Sequence, residues 1–183
     1  YRGNLNFQVY WDDNDEKLTR FTETLNQTDY IFIPTNHQYA QITRLPERYP
    51  LTTVYYRELI GCPPERNIIE CYRVAQPGMF EGNLDFELAA VFDPYPQLAL
   101  PAPVPQAQVS GIEGLGPIVI NDQAAEEAFT FYDHPKVLIF KKSADYNAEQ
   151  VASILGAVDL TNVVRLTPRQ ASSYKSMMLT AAR

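Results

Sequence analysis

The sequence predicts a single α/β domain, built on a mixed β-sheet of about five or six strands with helices packed on it. Short apolar runs of strand length alternate along the chain with segments whose apolar residues recur at helical spacing. The first three of these segments are predicted as strand, helix and strand, which is a βαβ unit. The length of 183 residues, with 45% hydrophobic and 20% charged residues, suits one domain with a sizeable core.

The first strand and the first helix are predicted close to the amino end. Residues 5–10 alternate apolar and polar side chains, which indicates a strand. Asp13, followed at the capping-box spacing by Glu16, resembles a helix start, and the apolar spacing that follows predicts a helix to about Gln27.

The strand that closes the βαβ unit is predicted over residues 30–33, an apolar run typical of a strand buried on both faces. A right-handed crossover would make it parallel to the first strand. We therefore expect residues 11–13 to lie beside residues 35–37, at the carboxyl ends of the two strands, where α/β proteins bind ligands.

The middle of the chain predicts one helix and two strands. Pro50 suits a first helical turn and Gly61 a helix end, so a helix is expected between them. Its predicted buried face excludes Tyr56 and Arg57 and consists of Leu51, Val54, Tyr55 and Leu59. The remaining predictions here are a strand over 68–74, a turn at 76–78 and a strand over 86–92.

The carboxyl-terminal half begins with a stretch rich in proline and glycine, residues 93–117, which predicts a long surface loop. Two strands joined by an Asp/Pro turn are expected next, followed by a short helix, and the segments concerned are 129–132, 133–135, 136–141 and 148–158. The predicted organisation is a domain core over 1–146, a helix and extension over 147–166, and a weakly ordered tail over 167–183.

The net charge of the chain limits the classes of molecule that it is expected to bind. A net charge of −7 argues against nucleic acid, because phosphate binding needs concentrated Lys and Arg. No run of 18 or more apolar residues is present, so no segment is expected to span a bilayer. The chain begins at Tyr1 without methionine, which we interpret as a piece of a longer protein.

Cys62 and Cys71 lie on either side of a polar turn, and this spacing favours a disulfide and an oxidising compartment. The alternative is two free, partly buried thiols. Zinc is not expected, because only His37 and His134 could complete a site and neither lies at a structural-zinc spacing from the thiols. No other cofactor is expected.

The candidate ligand-binding residues lie where the first two predicted strands end. They are Asp12, after the first strand, and Asn36, His37, Arg44, Arg48 and Tyr49, after the strand over 30–33. Guanidinium groups could hold a phosphate or a sugar acid, and tyrosine rings could face a sugar. The alternatives are that Glu47 pairs with Arg44 or Arg48 and braces the loop, and that His37 is a plain loop histidine.

Two further patterns have structural and chemical interpretations. Asp13 and Asp15 form the D-x-D pattern with which nucleotide-sugar transferases hold a divalent metal, but acidic residues also favour the first turn of a helix. His134 is expected to be a turn residue. No nucleophile, base and metal combination has a usable spacing, so the isolated domain is predicted to be inactive and no catalytic residue is assigned.

Three long motifs carry a family resemblance: residues 44–53 with Tyr55 and Tyr56, residues 83–88, and residues 125–142. Over about residues 4–146 the chain resembles the extracytoplasmic soluble region of large bacterial multi-spanning membrane proteins. These are related to polyprenyl-phosphate-sugar-dependent glycosyltransferases of the dolichyl-phosphate-mannose-mannosyltransferase type. The resemblance implies a location on the extracytoplasmic face of the membrane and the membrane-embedded part of the parent chain as a partner.

The leading functional hypothesis is therefore a non-catalytic domain that shapes acceptor or lipid-linked sugar recognition by a membrane glycosyltransferase-like protein. The second is a stand-alone module that binds an envelope glycan or a protein. The third, a soluble nucleotide-sugar enzyme, requires Asp13 and Asp15 to bind metal.

Overall fold

A computed structural model describes residues 5, 7–92, 97–98, 118–119, 135–165 and 170. The helices of this part of the chain are α1 (Asp15–Gln27), α2 (His37–Ile42), α3 (Pro50–Ile60), α4 (Ile68–Val74) and α5 (Ala148–Gly156). The strands are β1 (Tyr30–Ile33), β2 (Phe86–Phe92), β3 (Gln97–Leu98), β4 (Ile118–Val119) and β5 (Val137–Lys142).

The main sheet of the described residues is small and antiparallel. Its strand order is β1-β5-β2, and β3 pairs with β4 in a separate two-stranded sheet. Tyr30 pairs with Lys141 and Ile33 with Leu138. The chain thus combines helices and strands as predicted, but the prediction of a mixed sheet of five or six strands is wrong for the described residues.

The predicted βαβ unit is also wrong, because the described part of residues 5–10 forms no strand. Val9 and Tyr10 lie in a turn, and the Val9 N–H donates to the Phe7 carbonyl oxygen at 2.9 Å. The predicted strand over 30–33 does form, but it lies at an edge of the sheet and is not buried on both faces. Tyr30 and Phe32 are 59% and 60% exposed.

Helix α1 has the predicted end, but its cap differs from the prediction. The Asn14 side chain accepts a hydrogen bond from the Lys17 N–H, which is the N-cap interaction. The Asp13 carboxylate is buried, and it accepts hydrogen bonds from Lys17 and Thr52 instead. The buried stripe of α1 consists of Lys17, Phe21 and Leu25, at i, i+4 and i+8.

Helix α3 begins at Pro50 and is followed by Gly61 in the left-handed conformation, with φ of 75°, as the sequence predicts. The prediction that Tyr56 points away from the core is wrong, since it is 1% exposed. It joins a cluster of buried tyrosines in which Tyr72 donates a hydrogen bond to the Tyr56 carbonyl oxygen at 2.9 Å and stacks on Tyr39. Burial raises the pKa of the Tyr56 and Tyr72 hydroxyls well above its ordinary value.

Residues 68–74, predicted as a strand, form helix α4. Asn67 caps its start by accepting a hydrogen bond from the Ile69 N–H. The buried Lys136 ammonium donates to the Arg73 and Ala75 carbonyl oxygens at the other end, at 2.7 and 3.1 Å. A cation at a helix C-terminus donates hydrogen bonds to the last carbonyl groups of the helix. Lys136 is distant from α4 in the sequence, so no local sequence pattern predicts this contact.

Cys62 and Cys71 form a disulfide that ties the end of α3 to α4, with Cα atoms 5.8 Å apart. Replacing both cysteines by alanine is expected to lower the free energy of unfolding by about 3 kcal/mol, because the unfolded chain loses a covalent loop. Denaturant unfolding of the double variant and of the reduced wild type measures the effect. Free thiols that titrate in the native, non-reduced protein would contradict the pairing.

Strands β2 and β5, the turn at 76–78 and helix α5 lie where the sequence predicts them, within one or two residues. Within the described ranges, no helix has the length and apolar character needed to cross a membrane. Most of the proline-rich loop, the predicted strand over 129–132, His134 and most of the tail over 167–183 lie outside the described residues.

Candidate functional site

A buried polar centre joins the amino-terminal segment to helices α1 and α3. The Lys17 ammonium lies 2.7 Å from Asp13 Oδ1, 2.7 Å from Thr52 Oγ1, 2.8 Å from the Val9 carbonyl oxygen and 2.7 Å from that of Trp11. Thr52 in turn donates its N–H to Asp13 Oδ2 and its hydroxyl to Asp13 Oδ1. The two carbonyl contacts explain why the chain turns at Val9 and Tyr10 instead of extending as a strand.

The polar centre is structural in character. Lys17 and Asp13 are 2% and 0% exposed, and burial lowers the pKa of Lys17 while the Asp13 carboxylate opposes this shift. Both carboxylate oxygens of Asp13 already accept hydrogen bonds, whereas Asp15 is exposed on the first turn of α1. A metal could bind both residues of the D-x-D pattern only after the buried ion pair had been broken.

A second cluster lies at the surface above this centre, and we call it the aromatic-polar patch. Its members are Tyr10, Trp11, Asp12, His37, Arg48 and Tyr49. The Tyr10 and His37 rings have centroids 6.1 Å apart, Asp12 Oδ1 lies 4.0 Å from Arg48 Nη2, and the Arg48 guanidinium lies 5.4 Å from the Tyr49 ring centroid. Tyr10 and Trp11 are 46% and 44% exposed, and the Arg20 guanidinium lies 5.0 Å from the Trp11 ring centroid.

The patch brings together four of the six candidate residues, namely Asp12, His37, Arg48 and Tyr49. Asn36 is half-buried directly before α2. Arg44 is exposed and, in the described ranges, forms no ion pair with a carboxylate. The carboxylate that the structure places beside Arg48 is that of Asp12, while the Glu47 carbonyl oxygen accepts a hydrogen bond from the Val164 N–H at 2.8 Å.

The expected reason for the proximity of residues 11–13 to His37, two parallel strands ending side by side, is wrong. The described part of residues 5–10 forms no strand beside β1. The segment from Val9 to Asp13 is held near His37 because the Val9 and Trp11 carbonyl oxygens and the Asp13 carboxylate bind the Lys17 ammonium. The ring contact between Tyr10 and His37 therefore depends on the polar centre and not on a sheet edge.

A groove with a volume of about 1010 Å³ is lined by all four residues of β1. Leu5, Phe7, Val9 and the carboxyl-terminal part of α1 also line it. Tyr30, Phe32 and Pro34 line it from β1, Gln38 from α2, and Tyr55 and Tyr56 from α3. Gln38 directly follows His37 in the sequence, but no residue of the patch is among the described residues that line the groove.

Sequence reasoning missed Lys17, the groove, and the roles of Tyr10 and Trp11. A signal for Lys17 was present, since it falls on the same helical stripe as Phe21 and Leu25, and a lysine on a buried stripe needs a partner. Asp13, four residues earlier, is the natural candidate. No sequence signal indicated the groove, because its walls come from segments distant along the chain.

No family model matches this chain, and the searches of curated proteins and of solved structures found no match. In the described part of the chain, no group of three or more His, Cys, Asp or Glu side chains could hold a metal ion. The chemistry of the described surfaces is therefore the basis of the functional argument.

Proposed function

We propose that this chain is a non-catalytic recognition domain that binds a glycan at the aromatic-polar patch, as the extracytoplasmic part of a membrane glycosyltransferase-like protein. The observation that carries the proposal is the half-exposed Tyr10 ring beside His37, followed in the chain by the half-exposed Trp11 ring against Arg20 and by Asp12 near Arg48. The cellular context rests on the resemblance of residues 44–53, 83–88 and 125–142 to the membrane proteins named above.

The side chains of the patch suit sugar chemistry. An aromatic ring presents a flat apolar face to the C–H groups of a sugar, and a guanidinium and a carboxylate together donate to and accept from neighbouring hydroxyls. Asp12 lies close to Arg48 and offsets its charge, which favours a neutral or weakly acidic sugar over a strongly anionic one. This differs from the sequence-based expectation of an anionic or sugar-phosphate ligand.

The test is an NMR titration with neutral oligosaccharides, N-acetylated oligosaccharides and sugar phosphates. We expect saturable shifts at Tyr10, Trp11 and His37 with at least one glycan, and about fivefold weaker binding by Trp11→Ala, since one aromatic contact contributes about 1 kcal/mol. Phe92→Ala is the matched control, because Phe92 is also exposed, at 58%, and lies on β2 outside the patch. Absence of shifts with the whole panel would overturn the glycan assignment.

The alternative is a stand-alone module for an envelope glycan or a protein, without an attached transferase. The full reading frame distinguishes it, because many membrane spans in the same chain support the leading proposal and a secreted chain without them supports the alternative. The third hypothesis, a soluble nucleotide-sugar enzyme, is disfavoured by the engagement of Asp13 with Lys17 and Thr52.

A further inference from the structure

Among the described residues, no strand pairs with the outer edge of β1. The Lys142 N–H donates to the Asp29 carbonyl oxygen at 2.9 Å, which marks these two residues as a hydrogen-bonded pair at the end of the β1 and β5 ladder. Such pairs alternate in an antiparallel ladder, so Ile31 and Ile33 also bond to β5. The N–H and C=O groups of Tyr30 and Phe32 therefore point away from β5.

This edge has none of the features that usually protect an exposed strand. The sequence of β1 is Tyr30-Ile31-Phe32-Ile33, without a charge, a proline or a bulge. Within the described residues β1 pairs only with β5. Open apolar edges are templates for another strand unless they are blocked, and this one exposes aromatic side chains together with its free backbone groups.

Charge limits what can pair with the edge. A second copy of this chain carries the same net charge of −7, so mutual repulsion disfavours pairing between two β1 edges. A single extended segment of a basic partner meets no such repulsion, and it would lie about 4.8 Å from β1 once paired.

We propose that the outer edge of β1 accepts an extended segment of a partner protein as an additional strand of the sheet. The segment exchanges backbone hydrogen bonds with Tyr30 and Phe32, and its alternate side chains enter the groove against Phe7, Leu25 and Tyr55. This partner is separate from the glycan proposed for the patch, and the inference does not depend on that proposal.

Charge favours a basic partner segment. Among the described residues that line the groove, Asp29 alone is charged, and the whole chain carries −7. Lys142 lies close enough to Asp29 for that carboxylate to oppose the burial-induced fall of the Lys142 pKa, so part of the local charge is offset. The preference for a basic over an acidic segment should accordingly be modest and weaken with salt.

The first experiment compares amide hydrogen exchange with and without a short blocked peptide of alternating valine and threonine that carries lysines at one end. In the free protein, the Tyr30 and Phe32 amides should exchange faster than those of Ile31 and Ile33. The peptide should slow Tyr30 and Phe32 selectively. The same peptide with N-methylated central residues lacks the backbone donors and should not protect them.

The second experiment uses Phe32→Pro, which removes an outward N–H but no bond to β5, and which an edge strand tolerates. Phe32→Ala is the matched control because it removes the ring and keeps the N–H. We expect Phe32→Pro to weaken peptide binding at least about tenfold more than Phe32→Ala. Tyr30→Lys places a charge on the edge as an independent block and should also weaken binding.

Three results would overturn the inference. They are equal protection by the N-methylated peptide, no selective protection of Tyr30 and Phe32 by the lysine-bearing peptide, and dimerisation of the free protein that Tyr30→Lys abolishes. The last result would mean that a second copy occupies the edge. Loss of glycan binding at the patch, with peptide binding intact, would overturn only the proposed function.

Discussion

Lys17→Met is expected to lower the free energy of unfolding by about 3–5 kcal/mol, because it leaves the Asp13 carboxylate buried without its cation. The Val9 and Trp11 carbonyl oxygens lose a donor in the same step. The amino-terminal segment should therefore detach from α1 before the core unfolds. Denaturant unfolding measures the first effect, and limited proteolysis near residue 10 measures the second.

Arg20→Met is the control for this prediction. Arg20 and Glu16 have the same i, i+4 spacing, within α1 and at 2.8 Å, but both are exposed. Their pair should contribute no more than about 1 kcal/mol. The double variant Asp13→Leu/Lys17→Met should lose less stability than the two single variants added together, because neither charge is then stranded. Equal losses for Lys17→Met and Arg20→Met would show that the buried pair does not hold this part of the fold.

Gly82→Ala is expected to cost about 3 kcal/mol or more, because a β-carbon there would overlap the Leu59 carbonyl oxygen and lie 2.9 Å from the Glu58 carbonyl oxygen. The obstacle is the helix backbone, which cannot rotate away as a side chain can. The Asn83 N–H also donates to the Glu58 carbonyl oxygen at 2.8 Å, so residues 81–83 are held against the end of α3. Thermal and denaturant unfolding measure the loss.

Two other glycines serve as controls that distinguish a steric clash at the β-carbon from the cost of a positive φ. A β-carbon at Gly156 meets nothing within 4 Å, so Gly156→Ala at the end of α5 should change stability by no more than about 1 kcal/mol. Gly78 also has open space but a φ of 78°, so Gly78→Ala should cost about 1 kcal/mol from the backbone alone. A Gly82→Ala variant as stable as Gly78→Ala would contradict the predicted clash.

Elements with local signals were predictable from the sequence. Helix α3 lies between a proline suited to its first turn and a glycine suited to its end, and both signals act within a few residues. Strands β2 and β5 show strand-type residues over the observed lengths. Four of the six candidate site residues belong to one patch, because they occur in two short polar and aromatic stretches of the sequence.

The tertiary structure alone decided which strands pair and which side chains contact each other when they are distant in the sequence. Residues 5–10 have a strand pattern, but Val9 and Tyr10 form a turn and the Val9 carbonyl oxygen binds Lys17. Residues 68–74 form a helix with Lys136 at its end and a disulfide to Cys62. Strand β1 pairs antiparallel with β5, which lies much later in the sequence, and β1 therefore forms an edge of the described sheet. The residues of β1 line the groove. The sequence by itself determined which segments are apolar, capped or turn-forming, because those signals are local. The partners of each segment depend on contacts whose formation costs loop-closure entropy, and the packed core of the whole chain determines which contacts offset that cost.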